Sequence, residues 1–445
     1  MKVAIIGCTH AGTAAAINTV NLYEDAEVTV YERNDTISFL SCGIALHVEG
    51  VVKEPKKLFY SSPEHLKSFG VKTKMKHNVK EVDFKNKTLV VEDIKSGKVF
   101  EETFDKLIIA TGSWPVIPEI EGIDLKNILL SKNFYHANDI VKSVKNVNDV
   151  AIIGAGYIGV ELAEAIRENG KKVTLIDIET RILAKYLDEE ITDVAEKKLR
   201  EKGIKLALGE RVIKFEGTEK VEKVITTKGE YKADLVILSM GFKPNTKLFR
   251  GKLNMLDNGA IIVDKHMQTS EKDVFAAGDC CAVFYNPLER YEYIPLATNA
   301  IRMGTIAAYN LKKKRLMHLG TQSTSGIKIY NLNIAATGIT EHMARVNNLN
   351  VGSIFIVENH RPEFMPYFEK VFFKVVYDKN TKRILGAQIM SKIDLTQSMN
   401  TMSVLIQNKM RIDELAFVDF FFQPHFNKPW NFLNVAGLEY LKNHF

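Results

Sequence analysis

The chain has 445 residues, 46% of them apolar and 26% charged, with a formal net charge of +6. That length exceeds what one core supports, so two or three domains are expected, with the balance of an ordinary soluble globular protein. Lys and Arg are spread along the chain, the densest run being Lys312-Lys313-Lys314-Arg315, and no uncharged apolar run is long enough to span a bilayer, so neither a nucleic-acid nor a membrane partner is expected. The first residues already read as a strand, without a basic leader or export segment, and the four cysteines lack disulfide-like spacing, which points to a reducing cytosol.

Val3-Ala4-Ile5-Ile6-Gly7-Cys8-Thr9-His10-Ala11-Gly12, followed by Thr13-Ala14-Ala15-Ala16-Ile17, reads as strand, tight turn, helix. A dinucleotide pyrophosphate needs close backbone approach and a helix N-terminus aimed at it, which the glycines at both ends of the turn permit. Thr9 replaces the middle glycine. Glu32, which ends the strand-like run Glu27-Val28-Thr29-Val30-Tyr31-Glu32 about twenty residues beyond the turn, is placed to accept bonds from an adenosine ribose. His10 lies inside the turn and, if the turn serves a flavin, is a candidate acid or hydrogen-bond donor at neutral pH.

Ser38-Phe39-Leu40-Ser41-Cys42-Gly43 opens a predicted helix over 42–48. A thiol in the first turn of a helix feels unpaired amide donors, which lowers its pKa and favours the thiolate. Cys8, Cys280 and Cys281 are all far along the chain from it, so Cys42 is expected to act as a single redox sulfur, cycling between thiolate and sulfenic acid. An isolated Cys is ordinarily a small buried hydrophobe; here the surrounding motifs favour chemistry.

The strand ending Ala110-Thr111-Gly112-Ser113 brings small residues and a hydroxyl against a ligand, and Trp114-Pro115-Val116-Ile117-Pro118 reads as the crossing into another domain. A full G-x-G-x-x-G follows at Gly154, Gly156 and Gly159, between a strand and a helix. Asp177 ends the next strand; its carboxylate favours the free ribose hydroxyls of NADH over the phosphate of NADPH, while Arg181 close behind weakens that preference. Tyr157 either packs on its helix or covers a nicotinamide or flavin face. Asp279, delivered at a glycine turn, can anchor a flavin's polyol chain; Cys280 and Cys281 beside it read as small buried residues. Pro295-Leu296-Ala297-Thr298-Asn299-Ala300 leads into a helix whose amides could stabilise negative charge on a reduced flavin. From about Gly320 the pattern changes to alternating strands, including 328–330 and 371–377, with a helix near 395–406. Asp419 to Trp430 is an aromatic cluster, first of all core or interface, in which His425 alone has chemical capacity.

The order of these pieces resembles the flavin-dependent pyridine-nucleotide disulfide oxidoreductase superfamily over essentially the whole chain. Ser38-Phe39-Leu40-Ser41-Cys42-Gly43 with His10 is similar to the single-cysteine branch that contains NADH oxidases, NADH peroxidases and coenzyme A disulfide reductases. Gly7-Cys8-Thr9-His10-Ala11-Gly12-Thr13 and Phe420-Phe421-Phe422-Gln423-Pro424-His425-Phe426-Asn427-Lys428-Pro429-Trp430 look most like the water-forming NADH oxidases. Pro424-His425 does not reproduce the His-Pro order of the dithiol reductases.

The resemblance implies an α/β fold with two Rossmann-like nucleotide-binding domains and a C-terminal α+β interface domain. FAD is expected on residues 1–114 and 246–319, NADH on 115–245, and a homodimer interface on 320–445. Implied at the FAD site are Gly7, Thr9, His10, Ala11, Gly12, Glu32, Cys42, Ala110, Thr111, Gly112, Ser113, Lys132, Asp279, Ala297 and Thr298. Implied at the NADH site are Gly154, Gly156, Tyr157, Ile158, Gly159, Asp177, Tyr186 and Gly241, with Tyr157 as a gate over the flavin. The catalytic candidates are Cys42, His10 and His425, and no metal is expected. The expected activity is oxidation of NADH by a cytosolic FAD enzyme with reduction of dioxygen to water, Cys42 reducing the peroxide formed on the way while His10 supplies a proton or hydrogen bond. The alternatives are an NADH peroxidase, a coenzyme A disulfide or persulfide reductase, and, from another class, an NADH-binding redox sensor.

Overall fold

The computed structural model describes residues 1–444. Val3–Ile6 is a continuous buried apolar run and forms the middle of a five-stranded sheet in the order Val274–Ala276, Lys106–Ile109, Lys2–Ile6, Glu27–Glu32, Lys72–Met75. Every neighbour in it is parallel. A strand covered on both faces needs such a run, because neither side meets water. Helix His10–Leu22 packs against helix Ala297–Tyr309 so closely that a Cβ at Gly304 would stand 2.3 Å from the Ala11 carbonyl oxygen.

A second parallel sheet repeats the plan with strands Ile204–Leu208, Lys172–Asp177, Asp149–Ile153, Leu235–Leu238 and Ile128–Leu130, in that order. Its helix Tyr157–Glu168 follows the central strand as His10–Leu22 does in the first. The chain passes between the two sheets twice, and the passages lie side by side: Ser113–Pro115 pairs antiparallel with Phe242–Pro244. Trp114 and Pro115, read as a crossing, sit on that ribbon.

The C-terminal part is a five-stranded antiparallel sheet in the order Ser325–Ile329, Leu332–Gly338, Ile384–Ser391, Lys370–Asp378, Val351–Asn359, packed against helices Ser398–Gln407 and Phe432–Lys442. It is tied to the start of helix Glu189–Glu201, which packs beside the second sheet, by a buried cation. Lys374, 1% exposed, reaches Glu190 at 2.7 Å, Glu341 at 2.5 Å and Asp188 at 3.5 Å. Three carboxylates around one ammonium compensate its desolvation; removing the Lys would leave them crowded and unpaired. Among the described residues no helix is long and apolar enough to cross a membrane.

The segment around Cys42 departs from the expected single helix. Ser41–Gly43 is a 3₁₀ turn, and the α-helix is the short Ile44–Glu49 that follows. Gly43 explains the tight approach here, since a Cβ on it would press to 2.3 Å from the Leu58 side chain.

Candidate functional site

A single cleft of about 1700 Å³ runs across both parallel sheets and reaches the edge of the C-terminal domain. Of the residues expected to bind cofactors, Gly7, Thr9, His10, Ala11, Glu32, Cys42, Ala110, Thr111, Gly112, Ser113, Lys132, Asp279 and Ala297 line its first half. Gly154, Gly156, Tyr157, Ile158, Asp177, Tyr186 and Gly241 line the second. Gly12 and Gly159 lie behind the wall, where a Cβ on either would sit within about 2 Å of the carbonyl oxygen of Gly7 or Gly154. Thr298 is exposed outside it. His425 also lies apart: it is exposed in the C-terminal domain, where Gln423 Oε1 accepts from its backbone N–H at 2.7 Å.

At each turn an acid from the next strand braces the loop. Glu32 Oε2 accepts from the Cys8 N–H at 2.9 Å, and its Oε1 from the Asn34 N–H at 2.9 Å. Asp177 does the same for Ala155 N–H with Oδ2 and, at 2.8 Å, for Glu179 N–H with Oδ1. Both carboxylates remain on the cleft wall. Arg181 is occupied by Asp193 and by Glu189, the latter at 3.2 Å, so the basic residue that blurred the nucleotide preference is already neutralised.

The floor between the sheets is polar. Ser113 Oγ donates to Asp279 at 2.8 Å and receives from Lys132 Nζ at 2.9 Å, and the same ammonium stands 4.3 Å from the centre of the Phe242 ring. Thr111 Oγ1 is buried here without a partner among the described residues. A Cβ added at Gly112, Gly156 or Gly241 would meet no protein atom within 4 Å. An orphaned buried hydroxyl and three open glycine faces on a cleft wall fit an extended ligand lying against the backbone. Helix Ala297–Tyr309 begins at this floor with no side chain capping it, so its first amides stay free.

Cys42 opens onto the cleft. Its thiol is not lowered as a helix N-terminus would lead one to expect: burial within the cleft pushes it up and the Glu161 charge adds to that, against the smaller opposing effects of its own backbone hydrogen bond and of Lys132. The reason is local, because a 3₁₀ turn and a six-residue helix align too few peptide dipoles to offset desolvation. His10 is lowered by burial, with Asp279 and Lys132 acting in opposite directions on it, so the ring is neutral at pH 7. Burial holds Glu161, on helix Tyr157–Glu168, up to about 7, with Glu164 adding to the effect.

Four residues here belong to no expected set. Tyr60 bonds His10 Nδ1 at 3.0 Å. Ser325, from the C-terminal sheet, bonds the Tyr157 hydroxyl at 2.8 Å, and the Tyr157 ring leans on Tyr186 with centroids 4.4 Å apart. Tyr293 brings a buried hydroxyl beside Ser113 and Asp279, with no partner at hydrogen-bond geometry among the described residues. Glu161 alone carried a signal, lying one helical turn beyond Tyr157 and therefore on the same face.

The comparisons with known proteins agree with this architecture. The family model described as pyridine nucleotide-disulphide oxidoreductase matches residues 1–304, and that of the corresponding dimerisation domain matches 324–431. The chain is 52% identical to an NADH oxidase of Enterococcus faecalis, covering 100% of both chains, and 41% identical to an NADH oxidase of Streptococcus pyogenes over 98% of this chain and 99% of the other. The solved water-forming NADH oxidase from Lactobacillus brevis bound to NADH superposes with a TM-score of 0.98 at 48% identity, covering 100% of this chain and 98% of that one. With matches that together take in both sheets, the connecting helices and most of the C-terminal domain, the chain belongs to the pyridine nucleotide-disulphide oxidoreductase family.

Proposed function

We propose that this protein oxidises NADH and reduces dioxygen to water, with FAD and a single redox-active thiol, Cys42. The observation that carries the reading is that Cys42 opens onto the one cleft that both nucleotide turns line; Cys8 also borders that cleft, but its sulfur is buried against the Thr13 hydroxyl. Similarity to a water-forming oxidase along the full chain supports it. FAD would lie along Gly7, Glu32, Thr111, Gly112, Asp279 and Ala297, and bound there it supplies the group that accepts hydride and hands electrons on to dioxygen. NADH would lie along Gly156, Ile158, Asp177 and Gly241 under the Tyr157–Tyr186 pair. Asp177 and the neighbouring Glu179 present negative charge at the ribose end, and Arg181 is already paired, so a 2′-phosphate is disfavoured.

The thiolate of Cys42 attacks hydrogen peroxide: an S–O bond forms, the O–O bond breaks, and sulfur is oxidised to sulfenic acid. His10, neutral in its buried position, gives a hydrogen bond to the departing oxygen, which leaves as water by taking up the proton that the Cys42 thiol released. The two electrons of a second NADH return the sulfenic acid to thiolate and release the second water. Lys132 and the backbone of the Cys42 turn favour the thiolate, while Glu161 opposes it until protonated. A second copy of the chain would cover the exposed aromatics Phe421, Phe422, Phe426 and Trp430, which match within or at the end of the dimerisation-domain model, and the homodimer would work in the cytosol.

The test is an oxygen electrode with NADH followed by catalase. Wild-type protein returns no oxygen on catalase addition. Cys42→Ser still consumes oxygen but returns half of it, the yield when each dioxygen stops at peroxide; a variant still making only water removes Cys42 from the chemistry.

A further inference from the structure

His10 is held by a contact that no sequence motif displays. The Tyr60 hydroxyl lies 3.0 Å from His10 Nδ1, and the two rings are stacked, with centroids 5.4 Å apart and planes 4° from parallel. Tyr60 is itself fixed by the segment that leads to Cys42. Phe59 bridges to Phe39, with ring centroids 5.3 Å apart, and Ser38 Oγ both accepts from the Ser61 N–H at 2.9 Å and donates to the Ser61 carbonyl at 2.7 Å. One stitched pair of segments therefore places both the thiol and the group that holds the imidazole.

A neutral imidazole has one donor and one acceptor nitrogen, and the hydrogen bond at one nitrogen decides which is which. The His10 ring is kept neutral by burial. Tyr60 keeps its proton, since burial pushes the phenol up against the smaller opposing effect of the Thr13 hydroxyl beside it, and its hydroxyl stands within hydrogen-bond distance of Nδ1. We propose that Tyr60 is a positioning residue that sets the tautomer of His10: its hydroxyl donates to Nδ1, so the ring proton resides on Nε2. This deepens the reading of His10 as the donor to the oxygen that leaves during attack by Cys42, and rests on that reading for its purpose. Without Tyr60 both tautomers are open to the ring, and in one of them Nε2 presents a lone pair instead of a proton.

The test is ¹⁵N NMR of the full-length holoenzyme labelled at histidine, with the His10 signals assigned by their loss in His10→Gln. Nδ1 should resonate as an acceptor nitrogen and Nε2 as a protonated one. Tyr60→Phe keeps the ring and the stack; it should move the pair to mixed tautomers, slow the attack on peroxide about fivefold, the factor expected for one neutral hydrogen bond, and so make catalase return oxygen where the wild type returns none. A wild-type His10 protonated on Nδ1 overturns the proposal without any variant, and so does an unchanged tautomer in Tyr60→Phe. If the tautomer shifts while every turnover still ends in water, the hold of Tyr60 on the ring stands and it is the donor role of His10 that fails.

Discussion

Gly7 to Gly12 and Gly154 to Gly159 are the same turn built twice, each between the central strand of a parallel sheet and the helix that follows. A Cβ at Gly12 would stand 2.0 Å from the Gly7 carbonyl oxygen, and one at Gly159 would stand 1.8 Å from that of Gly154. The bracing acids repeat as well, Glu32 on the Cys8 amide and Asp177 on the Ala155 amide. The middle position differs: Thr9 in the first turn, Gly156 in the second, and a Cβ on Gly156 would meet no atom within 4 Å. The outer glycines are therefore demanded by the fold, and the middle one only by whatever lies on the cleft side. This is why the first turn could give up its middle glycine and stay intact. The first residue of each helix completes the parallel, for His10 and Tyr157 occupy the same station and each is bonded by a hydroxyl from elsewhere, Tyr60 or Ser325.

Substitutions at these stations should separate what the comparison separates. Gly12→Ala and Gly159→Ala drive a methyl group into a carbonyl oxygen, and each should destabilise its domain by about 3 kcal/mol or more. The readouts are the melting temperature and, for Gly12→Ala, FAD bound per chain. Asp177→Asn keeps one of the loop's two hydrogen bonds, because the amide offers a single acceptor oxygen, and removes the charge facing the ribose end. The ratio of kcat/KM for NADH over NADPH should fall about thirtyfold, on the scale of one charge-assisted contact. Gly156→Ala should melt like the wild type and raise the KM for NADH about tenfold, a loss near 1.4 kcal/mol. Should Gly156→Ala melt as low as Gly159→Ala, the division between fold glycines and ligand glycines is wrong.

The sequence displays the parts of the site that are local in the chain. Gly7, Gly12, Glu32, Gly154, Gly159 and Asp177 are spaced by the geometry of one strand, one turn and one helix, so their pattern survives without tertiary information. Tyr60 and Ser325 were invisible because each reaches its partner across the fold, over 50 and 168 residues of chain. The expected lowering of the Cys42 thiol failed for a related reason: desolvation and the Glu161 charge are set by neighbours distant in sequence, whereas the helix-terminus effect is the local part of the balance. The aromatics near Trp430 show the same limit from another side. Phe421 and Phe426 are 69% and 63% exposed in the single chain, so the reading of core or interface resolves toward a surface that needs another surface against it.

The smallest expected effect lies where the two helices differ in charge. Counting from the start of each turn, Glu161 and Glu164 stand where the first helix has Ala14 and Ile17. Burial holds both carboxyls up to about 7 from an ordinary 4.5. Between those values the folded chain binds protons that the unfolded chain has released, so this pair makes stability fall as pH rises from about 4.5 to about 7 and leaves it flat above. Glu161→Gln should flatten that slope, changing the pH dependence of the melting temperature by about 2 °C. The same variant removes a like charge facing Cys42. Thiolate formation there should become easier, and alkylation of Cys42 should reach its plateau at lower pH than in the wild type. A thiol titration that does not move would mean that desolvation alone, without the carboxylate, keeps the sulfur protonated.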